Sequence, residues 1–339
     1  MHKLIFATQK LDSRDTILAA TVAKVNALAA RVDELVVLCD SAEPGIAPAN
    51  VRVHEFGAAT RVGRGTRFVQ ALAGELRQRR PDAFVAHMIP LYVVLAAPLL
   101  KPLRVPIGLW YSHPNDHALV RVADALATVV LSVDRSTFPL DSRKLVAIGH
   151  GIDLSEFSCE DERQPHDGLH ALVLGRYSSI KGLETVLRAA AFAAEAGLQV
   201  RIEAHGATDL PANDAYKAEL DELVRALGVD AVLGPAVPRA AIPALFAHAD
   251  LLINATDGAS ADKVVYEAAA SCLPVLAASP AFADVLPDDL RFDRDRPETL
   301  GVRLLALDPV RRPELREVVG SRHSVEHWAD AVLATVGRR

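Results

Sequence analysis

Along 339 residues, short runs of aliphatic and β-branched residues alternate with longer stretches of helical periodicity, and the alternation starts afresh midway. Nothing else in the chain narrows the fold as much. The first series of candidate strands is LIFAT (4–8), LVVLC (35–39), AFVAH (83–87), VPIGLWY (105–111), TVVLSV (128–133) and LVAIG (145–149). Between the first two, Ile17, Val22, Val25, Leu28 and Ala29 recur near the period of one helix face. Strand, helix and strand at this spacing predict parallel pairing with helices covering both faces of the sheet.

The segment Glu156 to Gly168, EFSCEDERQPHDG, is polar, acidic and carries Pro165, which predicts a connector. The pattern then resumes with ALVLGR (171–176), VRIEAHG (200–206), AVLGPAV (231–237), LLINAT (251–256) and PVLAAS (274–279). The length also exceeds that of a usual single domain. Two Rossmann-like α/β domains facing a cleft are therefore expected, over residues 1–153 and 154–320. The segment Ser324 to Val336 places Val325, Trp328, Val332 and Leu333 on one face, so residues 321–339 are expected to form a helix packing back on the first domain.

Composition removes several function classes. A net charge of −6 argues against a nucleic-acid binder. The longest apolar stretch, Leu91 to Leu100, is interrupted by Pro98 and falls short of the roughly 20 residues a membrane span needs. The start MHKLIFATQKLDSRD turns polar too soon for a secretory leader. Cys39, Cys159 and Cys272 lie far apart without a C-x-x-C pair, which predicts reduced thiols, no disulfide framework and no zinc site. No G-x-G-x-x-G follows the first strand and no P-loop is present, which argues against a dehydrogenase or a P-loop kinase.

The strongest local chemistry is LGRYSSIKGLETVLRAAAFAAEAG (174–197). A strand ends in Gly175-Arg176, and a short polar loop leads to Lys181-Gly182. A helix follows, with Leu183, Val186, Leu187, Ala190 and Ala194 on one face and Gly197 as its stop. A helix start with unpaired N–H groups, a forked guanidinium and a compact ammonium together suit a diphosphate. Such a cluster would stabilise the charge that develops as a nucleoside diphosphate departs. The bland alternative is a pair of solvated cations at a loop edge. The second element, INATDGASADKVVYEAAASCLPVLAAS (253–279), sets Glu267 on a helix where one carboxylate would accept from two ribose hydroxyls. A solvent-facing glutamate is the alternative there, as a first-turn ion pair is for Asp262 and Lys263.

In GRYSSIKG and in the glutamate-bearing helix followed by LPV, the sequence resembles glycosyltransferase family 4, a group of retaining enzymes of the GT-B fold. The segments FATQKLDSRD (6–15), VAHMIPLYVVLAAPL (85–99), LWYSHPN (109–115) and LVAIGHGIDLSEF (145–157) resemble its bacterial branch. The resemblance implies that Arg176 and Lys181 hold the donor diphosphate and Glu267 the ribose, with Gly182, Gly206, Ser260, Asp262 and Lys263 completing the donor site. It implies a histidine beside the reacting sugar at His113; His87, at the end of the preceding strand, and Asp12, near the end of the first strand, are further acceptor-side candidates from their positions. His150 is expected to be structural, and Asp15 to cap the following helix. One position departs from the family: Ala259 stands where a first glutamate is usual, eight residues before Glu267.

The implied reaction is metal-independent transfer, with retention, from a nucleotide sugar, UDP-linked for preference, to a hydroxyl acceptor. No cofactor is expected, and the Asp293–Asp295 pair is expected to be surface structure. A nucleotide-sugar epimerase of the same fold, or a binding module that has lost catalysis, remains the alternative. A cytoplasmic location is implied. The segment 61–80, with six arginines against one glutamate, leaves open a peripheral contact with the inner membrane or a basic rim for an acidic acceptor.

Overall fold

A computed structural model describes residues 1–15 and 18–337. Ile17, one of the positions used to infer the first helix, lies outside the described residues. The chain divides into two compact units, Met1–Asp153 with Arg322–Arg339, and Leu154–Ser321.

In the first unit the order is β1 (Lys3–Ala7), β2 (Lys10–Leu11), α1 (Ala20–Ala29), β3 (Glu34–Cys39), β4 (Ser41–Ala42) and β5 (Val51–Glu55). There follow α2 (Arg61–Gln78), β6 (Ala83–His87), α3 (Pro90–Leu100), β7 (Ile107–Trp110), α4 (Ala118–Leu126), β8 (Val129–Ser132) and β9 (Leu145–Ala147). Seven strands form one sheet in the order β5-β3-β1-β6-β7-β8-β9, and every pair is parallel. All five residues of β1 and of β6 are buried, as expected of strands covered on both faces. β5 was not among the expected strands. Its sequence VRVHE alternates and stays partly exposed at the sheet edge, so it lacks the continuous apolar run of its neighbours. The one glutamate of α2, Glu75, is buried against Lys3 Nζ at 2.6 Å and His54 Nε2 at 2.7 Å. Phe68 and Leu72 on the same helix face the sheet, fully buried.

The second unit runs β10 (Leu169–Leu174), α5 (Leu183–Glu195), β11 (Val200–Gly206), α6 (Pro211–Leu227), β12 (Ala231–Pro235), α7 (Ile242–His248), β13 (Leu251–Asn254), α8 (Lys263–Ala270) and β14 (Val275–Ala277). Its parallel sheet has the order β12-β11-β10-β13-β14. The helices α9 (Pro297–Ala306) and α10 (Pro313–His323) follow, and α11 (Val325–Val336) returns to α1 of the first unit. Ser324 caps α11 by accepting from His327 N, and Trp328 and Val332 are completely buried.

The connector carries no helix or strand from 157 to 168, yet it is held to the second unit. Arg163 reaches Asp161, Asp250 and the Pro309 carbonyl, and Cys159 is disulfide-bonded to Cys272 with Cα atoms 5.0 Å apart. This overturns the expectation of reduced, unpaired thiols: the 113-residue separation is closed by the fold. Cys39 alone is free, and burial, followed by Glu55 and Asp40, pushes its thiol up to about 12.

Candidate functional site

At the carboxyl end of β10 the chain turns through Gly175 and exposes Arg176. Among the described residues Arg176 has no ion-pair or hydrogen-bond partner. Tyr177 points inward, its hydroxyl donating to the carbonyls of Gly234 at 2.7 Å and Ala204 at 3.1 Å, which anchors the loop on β11 and β12. Gly206 ends β11 directly beneath this turn, and a Cβ there would run into the Gly175 carbonyl. A single turn at Ser179–Lys181 then leads to Gly182, the N-cap of α5, with φ 62°. A Cβ on Gly182 would also lie 2.5 Å from the Ala255 oxygen, so glycine is needed for two reasons. Gly175, Arg176, Ser178, Lys181 and Thr256 line one small cavity at the strand ends, beside the start of α5. In open α/β sheets this edge is where ligands sit. Glu184 in the first turn of α5 accepts from the Tyr216 hydroxyl.

Lys181 is held by a carboxylate. Its ammonium bonds Asp262, which also accepts from Thr256 Oγ1 at 2.6 Å, Asn254 Nδ2 at 2.9 Å and Ser260 Oγ at 3.0 Å. Burial alone would raise the Asp262 pKa. The charge of Lys181 and the bonds from Asn254, Lys181 and Thr256 outweigh it and hold the carboxyl below its ordinary value. Asp262 therefore fixes the loop over Lys181, a partner different from the Asp262–Lys263 pair weighed as an alternative.

Glu267 is 1% exposed, and its Oε1 accepts from Arg239 Nη1 at 2.6 Å, with Lys263 Nζ at 3.5 Å. Arg239 is shared with Glu156 at 2.6 Å, so the connector and α8 meet on one guanidinium. Burial pushes the Lys263 pKa down despite Glu267. Arg239 was not foreseen, since its two acidic partners lie 83 and 28 residues away. Arg294 was likewise missed. Asp293 and Asp295 are exposed, as expected for that pair, but the residue between them donates to the Ser179 carbonyl at 2.6 Å and lies 3.4 Å from Asp257. It ties the Lys181 turn to the 257–262 loop. Among the described residues no group of His, Cys, Asp and Glu is arranged to hold a metal.

On the first unit, His113 is exposed beyond β7, and its Nδ1 accepts from Asn115 N at 3.1 Å, leaving Nε2 as the protonated nitrogen of the neutral ring. Partial burial, then His117, lowers its pKa. His87 is 5% exposed and stacks on Trp110 at 4.9 Å, with Thr8 Oγ1 3.1 Å from its Nδ1. Burial, aided by the charge of Lys24, lowers its pKa well below the usual histidine value, so it packs as a neutral ring. Lys24 itself is buried with its ammonium 4.4 Å from the Trp110 ring. His150 lies edge-on to Trp110. Asp12 accepts from Arg14 N at 2.9 Å and pairs with Lys10 at 3.2 Å. Asp15 accepts from Leu18 N at 2.8 Å, ahead of α1.

A groove of about 550 Å³ opens at the carboxyl ends of β3, β6 and β7, between the first turns of α2 and α3. Asp40, Arg61 and Arg64 border it with Leu91, Leu95 and Tyr111.

No family sequence model and no curated protein sequence matches the chain. Solved structures do match it over its whole length. HepE of Anabaena, in complex with UDP-glucose, superposes with a TM-score of 0.76 at 16% identity, covering 99% of each chain. Sucrose-phosphate synthase from Thermosynechococcus elongatus gives 0.75 at 16% identity over 98% of this chain and 97% of that one. A glycosyltransferase from Rickettsia africae gives 0.74 at 11%, over 99% and 97%. With these neighbours and two parallel α/β units, the chain has the GT-B fold.

Proposed function

We propose that the chain is a retaining glycosyltransferase of family 4, from its bacterial branch, that moves a sugar from UDP to a hydroxyl acceptor. The observation that carries this reading is Arg176, an exposed cation without a partner among the described residues, in one cavity with Lys181 at the strand ends beside α5. That HepE is described in complex with UDP and with UDP-glucose supports a uridine nucleotide as the donor.

In this reading Arg176 grips the diphosphate through two N–H groups, while Lys181, steadied by Asp262, adds a point charge. The bond between the anomeric carbon and the diphosphate oxygen breaks, and its electron pair leaves with the nucleotide. Positive charge builds on the sugar, the acceptor oxygen bonds the anomeric carbon from the same face, and its proton passes to the departing diphosphate oxygen. The two cations and the α5 dipole stabilise the leaving group, a role that metal ions fill in other transferases, so no metal is required. Glu267 would receive ribose hydroxyls through Oε2, its Oε1 being engaged by Arg239. His113 is the acceptor-side histidine, donating through Nε2. No cofactor enters, and a cytoplasmic location goes with this reading. A sugar-nucleotide binding module without catalysis is the second reading, favoured by Ala259 and by the commitment of Asp262 to Lys181.

Calorimetric titration with UDP tests the site. Arg176→Ala and Lys181→Ala are each expected to weaken UDP binding by about 10–100-fold, since a charge-assisted bond contributes roughly 1.5–3 kcal/mol. UDP affinity unchanged in both variants would remove the reading. Release of free sugar or transfer from a UDP-sugar separates the enzyme from the binding module.

A further inference from the structure

The groove on the first unit joins two chemistries that a plain sugar acceptor does not use together. One rim is cationic. α2 begins at Arg61 with no acidic residue in its first turn, so its positive end is uncompensated by its own side chains. Arg61 is exposed and has no partner among the described residues. Arg64 lies 3.4 Å from Asp40, longer than the roughly 2.7–2.9 Å of a strong charge-assisted bond. Asp40 is the one carboxylate among the described lining residues. Arg67 donates to the Gly57 carbonyl, and Thr60 accepts from Gly63 N at 3.0 Å, so the helix start is held in place.

The other side is apolar. Leu91, Leu95, Leu119 and Ile89 form a wall over Tyr92 and Phe56, and Leu91 remains 41% exposed. The volume, about 550 Å³, falls within the range of roughly 300–1,000 Å³ typical of small-molecule sites. Hydroxyl groups laid on this wall would lose water without gaining partners, whereas hydrocarbon gains from burial.

We infer that this groove receives an acceptor carrying an anionic group, held by Arg61 and Arg64, next to a hydrocarbon portion laid along Leu91, Leu95 and Leu119. The inference rests on the glycosyltransferase reading and narrows its acceptor to an amphiphilic anion. Of the six arginines in the segment 61–80, the first two border this groove.

The test is calorimetry on the full chain with dodecyl phosphate below its micelle-forming concentration, against neutral dodecyl glucoside and inorganic phosphate. Dodecyl phosphate is expected to bind at least about tenfold more tightly than either, because charge and hydrocarbon contribute together. Arg61→Gln/Arg64→Gln should bring it down to the affinity of the neutral glucoside. Leu91→Asp should lower it about tenfold or more by placing a like charge against exposed hydrocarbon. Equal binding of the charged and neutral probes, or unchanged binding in both variants, overturns the inference. So does attachment to phosphatidylglycerol vesicles that is lost in the arginine variant but not displaced by monomeric dodecyl phosphate, which would assign the arginines to a membrane surface. UDP titrated into the same preparations reports folding and keeps the two readings apart. Normal UDP affinity without amphiphile preference sinks this inference alone, and absent UDP binding in the unmodified chain sinks the donor reading.

Discussion

Asp262 gathers four side chains onto one carboxylate. It accepts from Lys181, Thr256, Asn254 and Ser260 and so holds the Lys181 ammonium in place. Its folded-state pKa lies below the ordinary aspartate value. The stability it contributes is therefore fully present above the unfolded pKa, near 3.9, and is lost as pH falls through the lower folded value. Asp262→Asn leaves Lys181 half-buried without its counter-charge and should cost about 3–5 kcal/mol at pH 7. The gap between variant and parent should close below about pH 4, as the parent's carboxylate protonates. Melting temperatures at pH 7 and pH 3 check this, and a gap that widened in acid would contradict it. At this scale the sequence was partly legible. Arg176, Lys181 and Gly182 lie within one short stretch of chain and share one strand-to-helix turn, so their grouping could be read directly. Arg239 and Arg294 were hidden, because each acquires meaning only from partners brought in by other strands.

The connector and α8 form the least expected pairing of elements. The disulfide runs from the connector to Cys272, which follows α8 in a left-handed conformation with φ 56°. Arg239 bridges Glu156 and Glu267 nearby. The helix that bears Glu267 is thus fastened at two points to the segment that enters the second unit. Reduction, or Cys159→Ser, should lower stability by about 2–4 kcal/mol through freedom returned to the unfolded chain. Thermal unfolding with and without a thiol reductant tests this: the parent should respond and Cys159→Ser should not. Apolar runs marked six strands of the first sheet and all five of the second: the inner strands because a doubly covered strand must be apolar, and the edge strands β9 and β12 because they keep aliphatic residues although they are partly exposed. The pattern missed β5, whose polar alternation belongs to an edge, and it missed the disulfide, because cysteine pairing is decided by topology rather than by spacing.

For the molecule as a whole, α11 links the chain's end to its beginning. Trp328 is fully buried, edge-on to Phe6 and Trp110, with the Lys24 ammonium 5.3 Å away. Trp328→Ala would open a cavity there and is expected to cost about 3–5 kcal/mol. In denaturant this should appear as an earlier loss of structure in the first unit, followed by Trp110 fluorescence. The amphipathic spacing of Val325, Trp328 and Val332 made the helix itself readable, since a helix with one apolar stripe must find a surface.

The backbone leaves the first unit and comes back to it at neighbouring points. Ile152 bridges to Ser324, and Arg316 donates to the carbonyls of Leu154 at 3.1 Å and Phe157 at 2.7 Å. The second unit is thereby inserted like a parenthetical phrase, its opening and closing marks side by side. Recombination acting at those two marks can exchange the whole second unit in one event, while the first unit keeps its own chain on both sides of the junction.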